Sequence, residues 1–151
     1  MYCAAVLSPD DDKLIARALS MRTRAYAPYS RFTVGCALLC DDGEIVEGCN
    51  VENASYGLCI CAERTAVVAA VAGGRQRFTR IAVATGSSPP AAPCGMCRQF
   101  LAEFLDADKD LVVLLANDAG EKVETTLRTL FPGVFDKAQL ASGQRGEGGP
   151  A

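Results

Sequence analysis

The segment FTVGCALLCDDGEIVEGCN, residues 32–50, determines how the first part of the chain folds. Its two apolar halves, Phe32 to Cys40 and Glu44 to Asn50, flank Asp41-Asp42-Gly43. Acidic residues followed by glycine are typical of a tight turn, because glycine adopts positive φ without strain. The segment therefore predicts an antiparallel β-hairpin.

Helices are predicted on both sides of the hairpin. Upstream, Ser8-Pro9-Asp10-Asp11 is typical of a helix N-terminus, and this helix should end before Pro28. Downstream, Cys61 to Val71 is rich in alanine and valine and meets no helix breaker before Gly73-Gly74. The remaining predicted elements are strands at Arg80 to Thr85, Leu111 to Ala116 and Lys122 to Thr125, and helices at Cys94 to Leu105 and near Thr126 to Phe131.

Strands that alternate with helices predict an α/β fold. We expect a three-layer α/β/α sandwich with a mixed five-stranded sheet, in which helices cover both faces. The length of 151 residues favours a single domain, predicted at residues 1–141. Residues 142–151 are rich in glycine and are predicted to be a disordered tail.

Composition and charge argue against several classes of function. A net charge of -3 and a pI near 5.0 disfavour a nucleic-acid partner, which normally needs clustered lysine and arginine. No apolar run approaches the roughly 20 residues that span a bilayer, and no signal peptide is recognisable, so we expect a cytoplasmic protein that binds no membrane. In that setting the eight cysteines indicate metal ligation or buried thiols rather than disulfides.

Two cysteine motifs about thirty residues apart predict a catalytic metal site in a chain without histidine. They are Cys61-Ala62-Glu63 and Pro93-Cys94-Gly95-Met96-Cys97. Cys94 and Cys97 lie at i and i+3, so both sulfurs face one side of a helical turn, and Cys61 can supply a third. Three thiolates leave one tetrahedral position of a zinc ion open, which distinguishes catalytic from structural zinc. Helix N-termini also favour the thiolate form of these cysteines.

Glu63 and Arg64 are predicted to act beside the metal rather than on it. Glu63 is two residues from Cys61 and does not share its helical face, which makes it a poor ligand and suits it to proton transfer. Three thiolates around Zn²⁺ leave a net negative charge, which weakens the ion as a Lewis acid. Arg64 could offset this charge by donating to the sulfurs.

Two other interpretations of the cysteines remain open. A Cys-x-x-Cys pair in an α/β protein also occurs as a redox pair, although the upstream Cys61-Ala62-Glu63 favours zinc. Cys59 could complete a closed site of four cysteines, which would be a structural module for binding rather than an enzyme. The two zinc interpretations differ in one residue, since Cys59 holds metal only in the closed site.

Cys61-Ala62-Glu63-Arg64 and Pro93-Cys94-Gly95-Met96-Cys97-Arg98-Gln99 resemble the signature of zinc-dependent cytidine deaminases. The chain is similar to the small homotetrameric three-cysteine enzymes of this family, which act on free nucleosides. Met96 stands where small residues are common in the family. The resemblance extends from about Lys13 to Leu140 and is also carried by Ala27 to Gly35, Asn50 to Tyr56 and Leu130 to Phe135.

The resemblance implies hydrolytic deamination of cytidine and 2′-deoxycytidine to the uridines with release of ammonia, a step of pyrimidine salvage. It implies a homotetramer with one zinc ion per subunit on Cys61, Cys94 and Cys97, a zinc-activated water, and Glu63 as proton shuttle. The other site residues that it implies are Phe32 against the nucleoside, Asn50 and Glu52 at the ribose hydroxyls, the backbone around Ala62 at the base, and Ala54, Tyr56 and Phe135 from a neighbouring subunit.

A related deaminase with another substrate would share the zinc motif and need a different pocket. Blasticidin S, a nucleotide and a base within nucleic acid are the candidates. Asn50-Val51-Glu52 and the acidic pI favour a free nucleoside, because a phosphate would call for a basic contact near the sugar.

Overall fold

The structure, a computed structural model, describes residues 7–144 and is built on a mixed sheet of five strands. The strands are β1 (Gly35–Cys40), β2 (Ile45–Cys49), β3 (Phe78–Thr85), β4 (Val112–Asn117) and β5 (Lys122–Thr126), in the order β2-β1-β3-β4-β5. β3 and β4 are parallel, and the other three neighbouring pairs are antiparallel. The predicted hairpin is confirmed as β1 and β2, with Gly43 at a φ of 87° in the turn.

Helices lie around this sheet. They are α1 (Pro9–Met21), α2 (Ala62–Ala72), α3 (Gly95–Ala102), α4 (Leu127–Leu130) and α5 (Lys137–Gln144), with short 3-10 turns at Arg22–Arg24 and Tyr56–Leu58. α1 starts as predicted with a capping box, in which Asp11 N donates to Ser8 Oγ over 3.2 Å and Ser8 N donates to Asp11 Oδ2 over 3.1 Å. Within residues 7–144, no helix is long and apolar enough to cross a membrane.

The two faces of the sheet bury different side chains, because residues alternate in direction along each strand. α1 packs through Leu14 and Ile15 against a face lined mainly by alanine. These alanines are Ala37, Ala82, Ala84 and Ala116. α2 and α3 cover the opposite face, which carries larger side chains: Leu38, Ile81, Val83, Val113 and Leu115. This arrangement confirms the predicted α/β sandwich.

Gly48 in β2 sets how closely α2 approaches the sheet. A Cβ atom at this position would lie 2.5 Å from Ala62 O and 2.5 Å from Ala66 N, both in the backbone of α2. Only hydrogen fits in that space, so the first turn of α2 rests directly on β2. The contact holds the N-terminus of α2, and with it Cys61, at a defined place beside the strand.

The C-terminal region contains a helix that the sequence analysis did not identify. Residues 137–144 form α5, which includes the first three residues of the predicted tail. The missed signal is an N-terminal cap, since Gln139 N donates to Asp136 Oδ1 over 2.9 Å. The rest of the predicted tail, residues 145–151, lies outside the described part of the chain.

Candidate metal centre and active site

Three cysteine sulfurs meet at the N-termini of two helices. Cys61 is the N-cap residue of α2, Cys94 is that of α3, and Cys97 lies in the first turn of α3. Cys94 Sγ lies 3.9 Å from Cys61 Sγ and 3.5 Å from Cys97 Sγ, and all three sulfurs lie within 4.8 Å of one another. Sulfurs about 2.3 Å from a tetrahedral zinc ion are separated by about 3.8 Å. The three cysteines therefore fit a zinc ion and leave one of its positions open.

The local backbone leaves these sulfurs available to a cation. Cys61 and Cys94 are both extended, with φ of -73° and -67°, as is usual for N-cap residues. Neither side chain caps its own helix through a hydrogen bond. The N–H groups at the two helix N-termini surround the sulfurs with partial positive charge, which stabilises thiolates.

The cysteines differ in how readily they lose a proton. Hydrogen bonds from the Cys97 thiol, Arg64 and the Cys94 thiol lower the pKa of Cys61 to about 5. The hydrogen bond to Cys61, together with burial, raises the pKa of Cys97. Of these two sulfurs, Cys61 is the one that more readily becomes a thiolate, and a bound cation would favour the thiolate form of its neighbour.

Arg64 lies beside the sulfurs in the first turn of α2. Its Nη2 donates to Cys59 O over 3.1 Å and lies 3.6 Å from Cys61 Sγ. The hydrogen bond to Cys61 raises the pKa of the guanidinium, which stays charged. Arg64 Nε is buried and has no hydrogen-bond partner among the described residues. A positive charge at this position offsets part of the negative charge of the sulfurs.

Glu63 lines the same cavity as Cys61 and Cys94. It is buried, with 4% of its surface exposed. Burial raises the pKa of its carboxyl group, and the charge of Cys61 raises it further. A carboxyl group in this state exchanges protons closer to neutral pH than an ordinary glutamate does, which suits acid–base chemistry.

Cys59 lies outside the group of three sulfurs. Asn53 N donates to Cys59 Sγ over 3.3 Å, and Cys59 Sγ lies 3.7 Å from Asn53 O. The thiol therefore contacts the loop before α2 rather than the predicted metal position. This geometry contradicts the closed site of four cysteines.

The sulfurs open onto a cavity of about 350 Å³, which suits a nucleoside-sized ligand. Six of the predicted site residues line it: Phe32, Asn50, Glu52, Cys61, Glu63 and Cys94. The other lining residues are Ser30, Val34, Val51, Cys59, Ile60, Val83, Thr85, Ala91 and Ala92. The structure thus brings metal ligands, a buried carboxyl group and predicted sugar contacts to one space.

Asn50 ties the segment around Phe32 to the cavity wall. Its Nδ2 donates to Phe32 O over 2.9 Å, and its Oδ1 accepts from Val34 N over 2.8 Å. The Asn50 side chain thus holds the backbone just before β1, which begins at Gly35 rather than at Phe32 as predicted. The amide keeps one N–H and one lone pair for a ligand.

Glu52 holds the loop that leads into Phe32. Its carboxylate accepts hydrogen bonds from the Ser30 hydroxyl, from Tyr29 N at 2.9 Å and from Ser30 N at 3.2 Å. The Ser30 hydroxyl and these N–H groups lower the pKa of Glu52. An ionised carboxylate therefore lines the cavity and disfavours a phosphate group beside it.

Six predicted site residues do not line the cavity of their own chain. Two of them, Cys97 and Arg64, lie in or beside the sulfur group. The other four are Ala62, Ala54, Tyr56 and Phe135. Ala62 is fully buried and does not itself line the cavity, although its chain neighbours Cys61 and Glu63 do. Ala54, Tyr56 and Phe135 are exposed, and Tyr56 has 73% of its surface accessible. Exposed side chains of this kind are available to a neighbouring molecule.

Sequence reasoning missed Ser30, Thr85 and Ala91 as cavity residues. Thr85 ends β3 beside its parallel neighbour β4, and the carboxyl ends of parallel strands commonly carry binding residues. That rule could have identified Thr85. Ser30 and Ala91 lie in irregular segments, and no local pattern distinguishes them from other loop residues.

Comparison with known proteins agrees with this geometry. Residues 8–115 match the model of the family described as "Cytidine and deoxycytidylate deaminase zinc-binding region", and the match includes Cys61, Cys94 and Cys97. The chain belongs to this deaminase family. Membership identifies the protein as a zinc-dependent deaminase and zinc as the metal that suits the three-cysteine cluster. It also favours zinc binding over a redox role for Cys94 and Cys97.

Relatives in the deaminase family match the chain over most of its length. It is 46% identical over 132 residues to a cytidine deaminase of Sporosarcina psychrophila, covering 87% of this chain and 96% of the relative. It is 48% identical over 126 residues to a cytidine deaminase of Halalkalibacterium halodurans, covering 83% and 94%. The crystal structure of cytidine deaminase from Burkholderia pseudomallei matches with a TM-score of 0.78 and 46% identity, covering 85% of this chain and 100% of that one.

Proposed function

We propose that the protein hydrolyses cytidine and 2′-deoxycytidine to uridine and 2′-deoxyuridine and releases ammonia. The observation that carries this proposal is the position of Glu63, which is buried in the wall of the cavity that Cys61 and Cys94 also line. A proton-transfer group and a zinc site thus share one nucleoside-sized space. Similarity to cytidine deaminases over most of the chain supports the same substrates.

Cys61, Cys94 and Cys97 would hold one zinc ion in each chain. Bound there, zinc supplies Lewis-acid activation of a water molecule. As the water oxygen bonds to C4 of the cytosine ring, Glu63 takes a proton from the water and passes it to ring nitrogen N3. Glu63 then carries the second proton from the oxygen to the amino group, the C4–N bond breaks, and ammonia leaves.

Phe32, Asn50 and Glu52 would hold the nucleoside. Phe32 would pack against it, while Asn50 and Glu52 would bond to the ribose hydroxyls. Their common position in the cavity lining supports these roles. An ionised Glu52 would form a charge-assisted hydrogen bond to a sugar hydroxyl. Arg64 would offset the sulfur charge through its contact with Cys61.

The working assembly that we propose is a homotetramer, in which Ala54, Tyr56 and Phe135 reach the cavity of a neighbouring subunit. Large apolar side chains that are more than half exposed support an interface: Tyr26, Tyr56, Leu58, Val68, Met96, Phe135 and Leu140. Light scattering during gel filtration should then give about four times the chain mass of 15.9 kDa. A fully active monomer would contradict this assembly.

The proposed setting of the reaction is pyrimidine salvage in the cytoplasm. The cysteines that the structure describes are free thiols, seven in number. Free thiols persist in a reducing compartment, which supports this setting.

A nucleotide is the second candidate substrate, because the family description also names deoxycytidylate deaminases. The lining of the cavity favours the nucleoside. Among the described residues, those that line it include the acidic Glu52 but no lysine or arginine. A phosphate in this space would lack a cationic partner.

Metal analysis and ultraviolet spectroscopy together test the proposed reaction. The purified protein should contain one zinc ion per chain, and the absorbance of cytidine and of 2′-deoxycytidine should change as each is deaminated. Cytidine monophosphate should remain unchanged under the same conditions. Zinc without turnover of either nucleoside would contradict the proposed substrates, turnover of the monophosphate alone would favour the nucleotide, and turnover of blasticidin S alone would favour that compound.

A further inference from the structure

Residues 86–93, which we call the wall loop, connect β3 towards α3 and form part of the cavity wall. Ala91 and Ala92 line the cavity, and the chain reaches the metal ligand Cys94 two residues after Ala92. The position of the wall loop therefore affects both the shape of the cavity and the approach of the chain to the sulfur cluster.

Thr85 anchors the wall loop from the end of β3. Ala91 N donates to Thr85 Oγ1 over 3.3 Å, and Thr85 Oγ1 lies 2.9 Å from Ser87 Oγ. Thr85 is buried, with 2% of its surface exposed, and it also lines the cavity. One buried hydroxyl thus joins both ends of the wall loop to the sheet.

Asn117 and Glu121 anchor the wall loop from the neighbouring strand. Asn117 ends β4 and pairs with Thr85 in the parallel register. Its Nδ2 donates to Ser87 O over 2.9 Å and also to the Glu121 carboxylate. Ser88 Oγ donates to the same carboxylate over 2.7 Å. Asn117 is buried, whereas Glu121 is exposed and does not line the cavity.

We propose that Thr85 is a positioning residue for nucleoside binding and that Asn117 and Glu121 support it from outside the cavity. The hydrogen bonds hold Ala91 and Ala92 in the shape that receives the nucleoside. Without the Thr85 hydroxyl, Ala91 N loses its acceptor and the wall loop is free to shift. Binding of the nucleoside is then weakened more than the chemical step is slowed. The inference rests on the proposed function, because it concerns the cavity in which the nucleoside binds.

The first test removes the hydroxyl and keeps the shape of the side chain. In Thr85→Val, KM for cytidine should rise about tenfold, as expected for one lost buried hydrogen bond, while kcat changes less. Thr85→Ser keeps Oγ and should restore KM. Thr79→Val is the matched control, because Thr79 lies in the same strand, is exposed, and contacts Leu39 O at 3.4 Å.

The second test uses an exposed residue, so that folding is not at risk. Glu121→Ala removes the carboxylate that accepts hydrogen bonds from Asn117 and Ser88. KM should rise about threefold, because a hydrogen bond to an exposed side chain contributes less than a buried one. Glu124→Ala, in the same β4–β5 hairpin, is the control, because its carboxylate lies 3.7 Å from Arg80 rather than at the wall loop. Zinc content should stay at one ion per chain in every variant.

The outcomes separate this inference from the proposed function. If the wild-type protein turns over cytidine, an unchanged KM in Thr85→Val would overturn the role of Thr85, and an unchanged KM in Glu121→Ala would overturn the supporting role of Glu121. The role of Thr85 is also overturned if Thr85→Ser does not restore KM. A wild-type protein that holds zinc and turns over no nucleoside would overturn the proposed function, and the inference with it.

Discussion

The helices on the two faces of the sheet begin in different ways. α1 begins with a capping box, in which Ser8 and Asp11 each accept a hydrogen bond from the other's backbone. α2 and α3, on the opposite face, begin with Cys61 and Cys94, whose side chains cap neither helix. A side-chain cap stabilises a helix by about 1 kcal/mol. α2 and α3 lack this stabilisation, and their N-cap side chains instead bring two sulfurs together. One face stabilises the fold and the other carries the chemistry.

Charged groups show the same division. On the α1 side, Asp11 is buried and paired with Arg80, whose Nη1 lies 2.6 Å from Asp11 Oδ1. On the other side, Arg64 contacts the Cys61 sulfur, and its buried Nε has no partner within residues 7–144. On the first face, the buried charge is neutralised by an ion pair within the fold. On the second face, the charged and polar groups surround the position of the predicted cation.

Of the substitutions considered, loss of a sulfur ligand on the face covered by α2 and α3 should have the largest effect. Cys97→Ser should lose both zinc and deaminase activity, because Cys97 is fully buried and a neutral hydroxyl replaces a thiolate in the group of three. Metal analysis of the purified variant and the absorbance assay measure the two losses. Cys59→Ser is the matched control and should keep its zinc. Loss of zinc in that variant would support the closed site of four cysteines instead.

Removal of the proton-transfer group should separate chemistry from metal binding. Glu63→Gln should lower kcat by about 10² to 10⁴, the range of general acid–base catalysis, while zinc content stays at that of the wild type. The amide has the same shape and cannot shuttle protons. Glu103→Gln, at an exposed position on the surface, should behave as the wild type. Near-full activity in Glu63→Gln would remove Glu63 from the mechanism.

Removal of the charge beside the sulfurs should have an intermediate effect. Arg64→Ala should weaken zinc binding about 10- to 100-fold, as expected for a group that contacts a metal ligand, without unfolding the chain. Competition with a chelator measures the affinity, and circular dichroism checks the fold. Arg17→Ala, on the α1 side, removes a partly exposed pair with Glu47 and should leave zinc affinity unchanged. Equal affinity in the two variants would exclude charge compensation by Arg64.

Features that lie within one element could be predicted from the sequence. The turn at Gly43, the cap of α1 at Ser8, and the convergence of Cys94 and Cys97 depend on residues a few positions apart. Local spacing determines such contacts. The cap of α5 at Asp136 has the same character and was recognisable in principle, although the glycine-rich composition after it indicated disorder.

Features that join separate elements could not be predicted in the same way. The approach at Gly48 depends on how α2 packs on β2, and the bonds between Thr85, Asn117 and the wall loop depend on the register of β3 and β4. Sequence spacing does not determine such distances. The meeting of Cys61 with Cys94 was expected only because an open zinc site needs a third sulfur, together with the resemblance to the deaminases.

Removal of the N-terminal cap of α1 should have the smallest effect and should change only the stability of the fold. Ser8→Ala should lower the free energy of unfolding by about 1 kcal/mol, because Asp11 N loses its acceptor at the start of α1. Zinc content and kcat/KM should not change, since α1 packs on the opposite face of the sheet from α2 and α3. Urea denaturation of Ser20→Ala, an exposed position inside the same helix, provides the control and should show no loss. A fall in zinc content in Ser8→Ala would mean that the two faces are coupled through the sheet, and the division between them would then fail.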